Sequence, residues 1–264
     1  MPALRLTVLG SGTSMGVPTL GCSCRVCSSE DPRDRRTRSS VLLEADGRNV
    51  VIDTTPDFRT QALRERLGRL DAVVYTHGHA DHILGLDDIR PFNIKQKSTI
   101  PLYASPETLA ILRRTFSYIF DDSATPHSTL PGVRVNTIDG PFDPFALPGR
   151  RIEVVPVPVR HGPIEVLGFR IGRFAYLTDF SSIPDESKAL LGDMDDLILD
   201  ALRHTPHPMH STVEQSLALV EELRPRRAWF THIAHELAHE ETNKRLPENV
   251  NLAYDGLSFE VPLP

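Results

Sequence analysis

The segment Thr76-His77-Gly78-His79-Ala80-Asp81-His82 constrains this chain more than any other. It follows directly on an apolar run, Asp71–Tyr75, that reads as a strand. Histidines and an aspartate packed this densely do not gather to fill a core, because each ring or charge needs a partner once it leaves water. A compact loop at a strand end can offer His77 and His79 to one metal ion and Asp81 and His82 to a second. Neutral imidazoles and carboxylates suit Zn²⁺, Mn²⁺ or Fe²⁺. A catalytic metal needs further ligands from elsewhere and an open position for water. Candidates stand at later strand ends: His161 after Ile152–Arg160, Asp179 after Phe174–Thr178, and His232 after Arg227–Thr231. A site built from several strand-end loops is what a rigid sheet offers to chemistry.

The rest of the chain agrees with such a scaffold. Short runs rich in Val, Ile and Leu recur and read as buried strands, among them Leu4–Leu9, Val41–Ala45, Val50–Asp53, Val166–Ile171 and Leu197–Asp200. Helical patterns cover Asp57–Leu67, His82–Phe92, Pro106–Phe120, Thr212–Leu223 and Glu236–Arg245. Ser105 before Pro106 predicts an N-cap with proline at N1. Ser211 with Glu214 predicts a capping box. Strands early and helices in both halves suit sheets packed on each other with helices outside, in a single domain over residues 1–264. No run approaches the roughly 20 apolar residues of a membrane helix. The opening MPALRLTVLG lacks a leader pattern, so a cytoplasmic protein is expected. With 35 acids against 29 bases the net charge is −6, which argues against a nucleic-acid partner. The one basic run, Arg33, Arg35, Arg36 and Arg38, reads as a solvated loop rather than an RNA-binding patch.

The motif His77-x-His79-x-Asp81-His82, with His161, Asp179 and His232 downstream, resembles the metallo-β-lactamase superfamily. The resemblance implies an α/β fold, the αββα four-layer sandwich, with a dinuclear centre at one edge of the sheets. By it, His77, His79 and His161 hold one metal, Asp81, His82 and His232 the other, and Asp179 bridges them.

A second cluster narrows the family. The chain has 3 cysteines, Cys22, Cys24 and Cys27, too few and too close for a disulfide framework. Metal binding explains them better, and a structural zinc normally has four ligands, so a histidine must complete the set. A Cys-x-Cys-x-x-Cys ahead of the His-x-His-x-Asp-His motif resembles the phosphoribosyl 1,2-cyclic phosphate phosphodiesterases (PhnP-like). That resemblance maps the fourth ligand of a structural zinc onto His235 and leaves His239 without a role. It also maps a catalytic histidine onto His210, with His207 as the competitor and Asp81 as the other catalytic residue. The implied cofactors are two divalent ions, Mn²⁺ or Zn²⁺, and one structural zinc.

The expected chemistry is hydrolysis of a phosphodiester, such as 5-phosphoribosyl 1,2-cyclic phosphate. Two metals would activate a shared water as hydroxide and His210 would protonate the departing oxygen. Arg59 and Arg90 are candidates to clamp a substrate phosphate, and Gly10-Ser11-Gly12-Thr13-Ser14 is a weaker one. The partner is then a small phosphate ester, with no membrane and no nucleic acid; oligomeric state is left open, a homodimer included. Two rivals share the metal motif. One is a tRNA 3′-processing endonuclease, against which the charge and the lack of an inserted arm speak. The other is a non-hydrolytic relative of the pyrroloquinoline-quinone biosynthesis protein B, acting as a binding protein.

Overall fold

Burial that alternates along the strands sets the architecture of this chain, whose computed structural model describes residues 3–121, 129–140, 142–148 and 152–263. On β1 (Ala3–Gly10), Leu4, Leu6 and Val8 enter one core while Leu9 enters another. On β2 (Ser40–Ala45), Val41 and Leu43 enter the first core and Leu42 the second. The period of two forces this split, and burial on both faces explains why the strands read as almost continuous apolar runs. β3 (Arg48–Ile52), β4 (Ala72–Val74), β5 (Ile100–Ala104) and β6 (Val133–Thr137) extend the same sheet.

A second sheet contains β7 (Phe145–Ala146), β8 (Glu153–His161), β9 (Ile164–Ile171), β10 (Phe174–Leu177), β11 (Asp196–Asp200), β12 (Arg227–Thr231) and β13 (Val250–Leu252). β14 (Ser258–Pro262) then returns to the first sheet and pairs antiparallel with β1. The strand orders are β14-β1-β2-β3-β4-β5-β6 and β13-β12-β11-β10-β9-β8-β7. One core lies between the sheets and joins Leu6, Ile52 and Val74 to Phe169, Ile198 and Trp229. A second covers the outer face of the first sheet with α1 (Phe58–Arg64) and, after α2 (Ala80–Ile83) and α3 (Arg90–Gln96), α4 (Pro106–Thr115) and α5 (Ser117–Phe120). A third packs α6 (Asp185–Ala189) and α7 (Val213–Leu223) on the second sheet, with α8 (His239–Asn243) following. The layers are therefore αββα. No helix among the described residues is long and apolar enough to cross a membrane.

Several local expectations change. The helix expected over His82–Phe92 is interrupted, because Gly85 donates its N–H to Thr54 O and a Cβ there would lie 2.1 Å from Thr55 O. The helix expected over Pro106–Phe120 breaks at Phe116, and that over Glu236–Arg245 shrinks to α8. The capping box of α7 sits one residue later than expected: Thr212 Oγ1 accepts from Gln215 N, and Gln215 Oε1 accepts from Thr212 N. Ser105 does cap α4, accepting from Thr108 N.

The arginine run is not a solvated loop. Arg36 is fully buried; its Nη2 donates to Asp34 Oδ1 and to Leu237 O, each at 2.9 Å. The same Asp34 oxygen accepts from His239 N at 2.8 Å. Arg33 pairs with Asp31 and Glu240, and Arg38 with Asp57. These charges clamp the loop after the cysteines to the segment around α8, which gives His239 a structural place. Asn243 Oδ1 accepts from Leu252 N, so its Nδ2 donates to His239 Nε2.

Burial, reinforced by Arg33 and Arg36, lowers His239 from 6.5 to about 4. Unfolding restores the ordinary value, so between these limits the unfolded chain binds more protons and stability rises with pH. The contribution is present above pH 6.5 and is lost as pH falls toward 4, amounting to up to about 3 kcal/mol. A His239→Gln variant is expected to lose less stability than the parent over this window in urea titrations; equal losses would refute the assignment.

Candidate active site

Parallel pairing of β3 with β4, of β10 with β11 and of β11 with β12 points the carboxyl ends of these strands to one rim. Ligand sites in such sheets lie outside those ends. Here the chain turns sharply: Asp53, Asp179 and His232 adopt left-handed backbones, with φ of 65°, 55° and 57°. Such conformations persist in non-glycine residues where neighbouring contacts fix them.

The ligand-type atoms converge in two groups that share Asp179. Ligand atoms of His77, His79, His161 and Asp179 lie within 4.8 Å of one another, and so do those of Asp81, His82, Asp179 and His232. His77 Nε2 stands 2.9 Å from His79 Nδ1. Asp179 Oδ2 is 3.8 Å from His77 Nε2 and 3.4 Å from both His82 Nε2 and His232 Nε2. Asp81 Oδ2 is 3.2 Å from His82 Nε2. His79 is exposed, so the cluster opens to solvent on that side.

Proton placement follows from the surrounding hydrogen bonds. Thr76 Oγ1 donates to Asp53 Oδ2 at 2.7 Å and therefore accepts from His77 Nδ1 at 3.0 Å. His82 Nδ1 donates to Asp53 Oδ2 at 2.7 Å, and His161 Nδ1 donates to Met209 O at 2.7 Å. Each bond leaves an Nε2 lone pair aimed at the cluster, the way outer partners orient metal-binding histidines. His82 Nε2 and both ring nitrogens of His232 are buried without a hydrogen-bond partner. These orphaned atoms, with two carboxylates among them, fit a pair of divalent ions. Burial lowers His161 to about 4, against the pull of Asp179, and so keeps it neutral. Burial also opposes charge on His232, but Asp179, Asp81 and Asp200 raise it to about 9. Loading a metal must then displace protons, so affinity weakens as the pH is lowered.

Beside this cluster stands His210. Its Nδ1 donates to Asp200 Oδ2 at 2.8 Å, and its ring stacks on His232 at 4.4 Å and meets His161 edge-on at 4.7 Å. His207 lies one ring further out, 5.1 Å from His210. Of the two, His210 is the one with a buried carboxylate behind it. Sequence reasoning noted Asp53 and Asp200 as strand ends but gave them no role; a buried aspartate closing an apolar strand was the signal.

The cysteine cluster is assembled as well. Cys22, Cys24 and Cys27 place their Sγ atoms 3.3, 3.4 and 3.5 Å from His235 Nδ1. The backbone N–H of Cys27 lowers Cys24 to about 6, whereas burial raises Cys27 to about 11. Adjacent thiolates repel one another, and a tetrahedral zinc is the group this donor set suits.

Arg59 and Arg90 are engaged elsewhere. Arg59 lines a cavity of about 310 Å³ with Phe58, Asp88, Phe92 and Lys95. Arg90 pairs with Asp87 and donates to Thr129 O. Neither touches the histidine–aspartate cluster in any described contact.

Gly78 is a fixed point of the motif. A Cβ there would lie 2.5 Å from Ile111 Cδ1 and 3.1 Å from Ile111 Cβ, on α4. Gly78→Ala is expected to cost about 1–3 kcal/mol and to weaken metal retention, since it pushes His77 and His79 off α4. The double variant with Ile111→Ala should recover most of the loss; additive losses in denaturation and metal content would contradict this.

Residues 48–233 match the beta-lactamase superfamily domain. The crystal structure of a diphosphatase from the PhnP family is 52% identical, with a TM-score of 0.92 over 99% of this chain and 98% of that one. The octanoyltransferase of Porphyromonas gingivalis is 38% identical over 257 residues, which are 96% of this chain and 51% of that protein. Coenzyme PQQ synthesis protein B of Rhodopseudomonas palustris is 32% identical over 173 residues, 59% of this chain and 53% of that protein. This chain thus spans about half the length of these two relatives. The two-sheet fold, the paired donor groups and these matches lead to one conclusion: the chain belongs to the metallo-β-lactamase superfamily and resembles its PhnP family.

Proposed function

We propose that this chain is a metal-dependent hydrolase that cleaves a small, disubstituted phosphoryl compound. A phosphodiester such as 5-phosphoribosyl 1,2-cyclic phosphate is one candidate, and a diphosphate diester is the other. The observation that carries the reading is the pair of donor groups sharing Asp179, with the Asp200–His210 couple alongside. His77, His79 and His161 would hold one ion, Asp81, His82 and His232 the second, and Asp179 both. Two such ions, Mn²⁺ or Zn²⁺, supply water activated near neutral pH and neutralise charge on phosphoryl oxygens. Asp53 fixes His82 directly and His77 through Thr76, while the Met209 carbonyl fixes His161. His210, oriented by Asp200, donates the proton that the departing oxygen takes. Cys22, Cys24, Cys27 and His235 would hold a zinc that ties the N-terminal loop to the loop after His232.

The similarity to a diphosphatase at 52% identity supports the phosphoryl class. The tRNA-processing reading has less support, since Arg33, Arg36 and Arg38 of the arginine run are spent on internal ion pairs. The test is metal counting combined with assays on bis(p-nitrophenyl) phosphate, cyclic ribose phosphate and a dinucleotide diphosphate. About three metals per chain and metal-dependent turnover are expected, with Cys24→Ala losing one zinc. Full metal loading without cleavage of any of the three would sink the proposal in favour of a non-hydrolytic binding protein.

A further inference from the structure

We infer that His207 is a specificity-determining hydrogen-bond donor for a second phosphoryl group on the leaving side of the substrate, which makes the substrate class a disubstituted diphosphate. The inference rests on the phosphohydrolase reading and narrows it.

His207 is half-buried, and its ring centre lies 5.1 Å from that of His210, which in turn touches His161 and His232. Its Nδ1 accepts the backbone N–H of Met209 at 3.2 Å and so carries no proton. The neutral ring then bears its hydrogen on Nε2, which has no partner among the described residues. The loop that presents it is firmly seated. Leu202 N donates to Ser211 O and Val213 N to Arg203 O at its base, and Gly162 packs against Met209 so closely that a Cβ would lie 2.3 Å from Met209 Sδ. A free donor thus stands beside the proton-donating histidine on a fixed support.

Two neighbouring donors suit a leaving group that extends beyond its bridging oxygen. The alkoxide leaving from a simple diester has one oxygen to satisfy, and His210 serves it. The leaving half of a diphosphate carries further oxygens on the adjacent phosphorus, and an N–H beside His210 receives one of them. In the step, water's oxygen forms a bond to the attacked phosphorus and the bridging P–O bond breaks. The bridging oxygen takes the proton of His210, and the proton lost from water passes to solvent. Two phosphate monoesters leave.

A rival role for His207 is that of a prop, holding Met209 so that its carbonyl orients His161. Two variants separate the roles. His207→Asn keeps an acceptor near the Nδ1 position and removes the outer donor. His207→Gln places an N–H near the Nε2 position and gives up the inner acceptor. Binding of inorganic diphosphate and of inorganic phosphate to the metal-loaded protein is measured by calorimetry, with metal content counted in parallel. For the donor, diphosphate affinity falls about tenfold in His207→Asn and recovers to within about threefold in His207→Gln, while phosphate affinity and metal content hold. For the prop, the order reverses and His207→Gln sheds metal, which would overturn the inference; so would equal losses for both anions. If the parent protein binds neither anion and cleaves no phosphoryl substrate, the phosphohydrolase reading itself fails. If it cleaves them but neither variant distinguishes the anions, the assignment of His207 alone fails.

Discussion

Replacing Asp179 with alanine is expected to cut hydrolysis by roughly 10³-fold or more and to empty the proposed dinuclear centre. The argument is geometric. One oxygen, Oδ2, lies within 3.4 Å of both His82 and His232 and 3.8 Å from His77, so a single carboxylate serves both donor groups. Its loss leaves each group one ligand short and removes the charge that holds His232 up to about 9. Asp53→Ala should be milder, about 10- to 100-fold, because Asp53 acts through His82 and through Thr76 rather than on a metal. Elemental analysis separates the cases, with the metal of the proposed cysteine site as internal standard. An Asp179→Ala protein that retains its full metal complement and a tenth of its activity would refute the shared-ligand assignment.

Removing the His210 side chain is expected to lower kcat by about 10²- to 10⁴-fold at unchanged metal content. The residue stacks on His232 but belongs to neither four-residue donor group. Asp200→Asn should reproduce part of the effect, since the Oδ2 that fixes the ring also anchors Phe180 N. The loss should be smallest for leaving groups that depart readily, such as p-nitrophenolate, and largest for alkoxides, because the missing function is a proton delivered to the departing oxygen. Ligand atoms of Asp200, His210 and His232 also lie within 4.8 Å of one another. Should His210→Ala lose one ion, the residue is a ligand and the proton-donor role falls.

What could be seen in the sequence was whatever one local segment or one strand end contains. The run from His77 to His82 is legible as a cluster of metal-ligand types because a single turn sets its spacing. His161, Asp179 and His232 were found by their position after apolar strands. The partners of these ligands were hidden, because Asp53 lies 29 residues from His82 and Met209 lies 48 from His161. Only the sheet brings them together. Charge patterning does not show the burial of Arg36, since that depends on the carbonyl of Leu237, 201 positions away, as well as on neighbouring Asp34. The helix after the motif was overextended, because the interruption at Gly85 answers to a carbonyl on another loop. Strands β6 and β14 escaped notice because as edge or near-edge strands they are half exposed and mix polar residues with apolar ones.

The join between the two ends of the chain sets a timetable for biosynthesis. Cys22 and His235 are separated by 213 positions, and Ala3 pairs with Pro262. At roughly 5–20 residues per second, the cysteines leave the ribosome about 10–40 s before the histidine that completes their set. Through that interval the nascent thiols stand open to oxidants and to mismatched metals. Contacts of such long sequence separation also form late and slowly. Closure of this four-residue cluster is therefore a late event, reached by a polypeptide translated through His235 and by no shorter one.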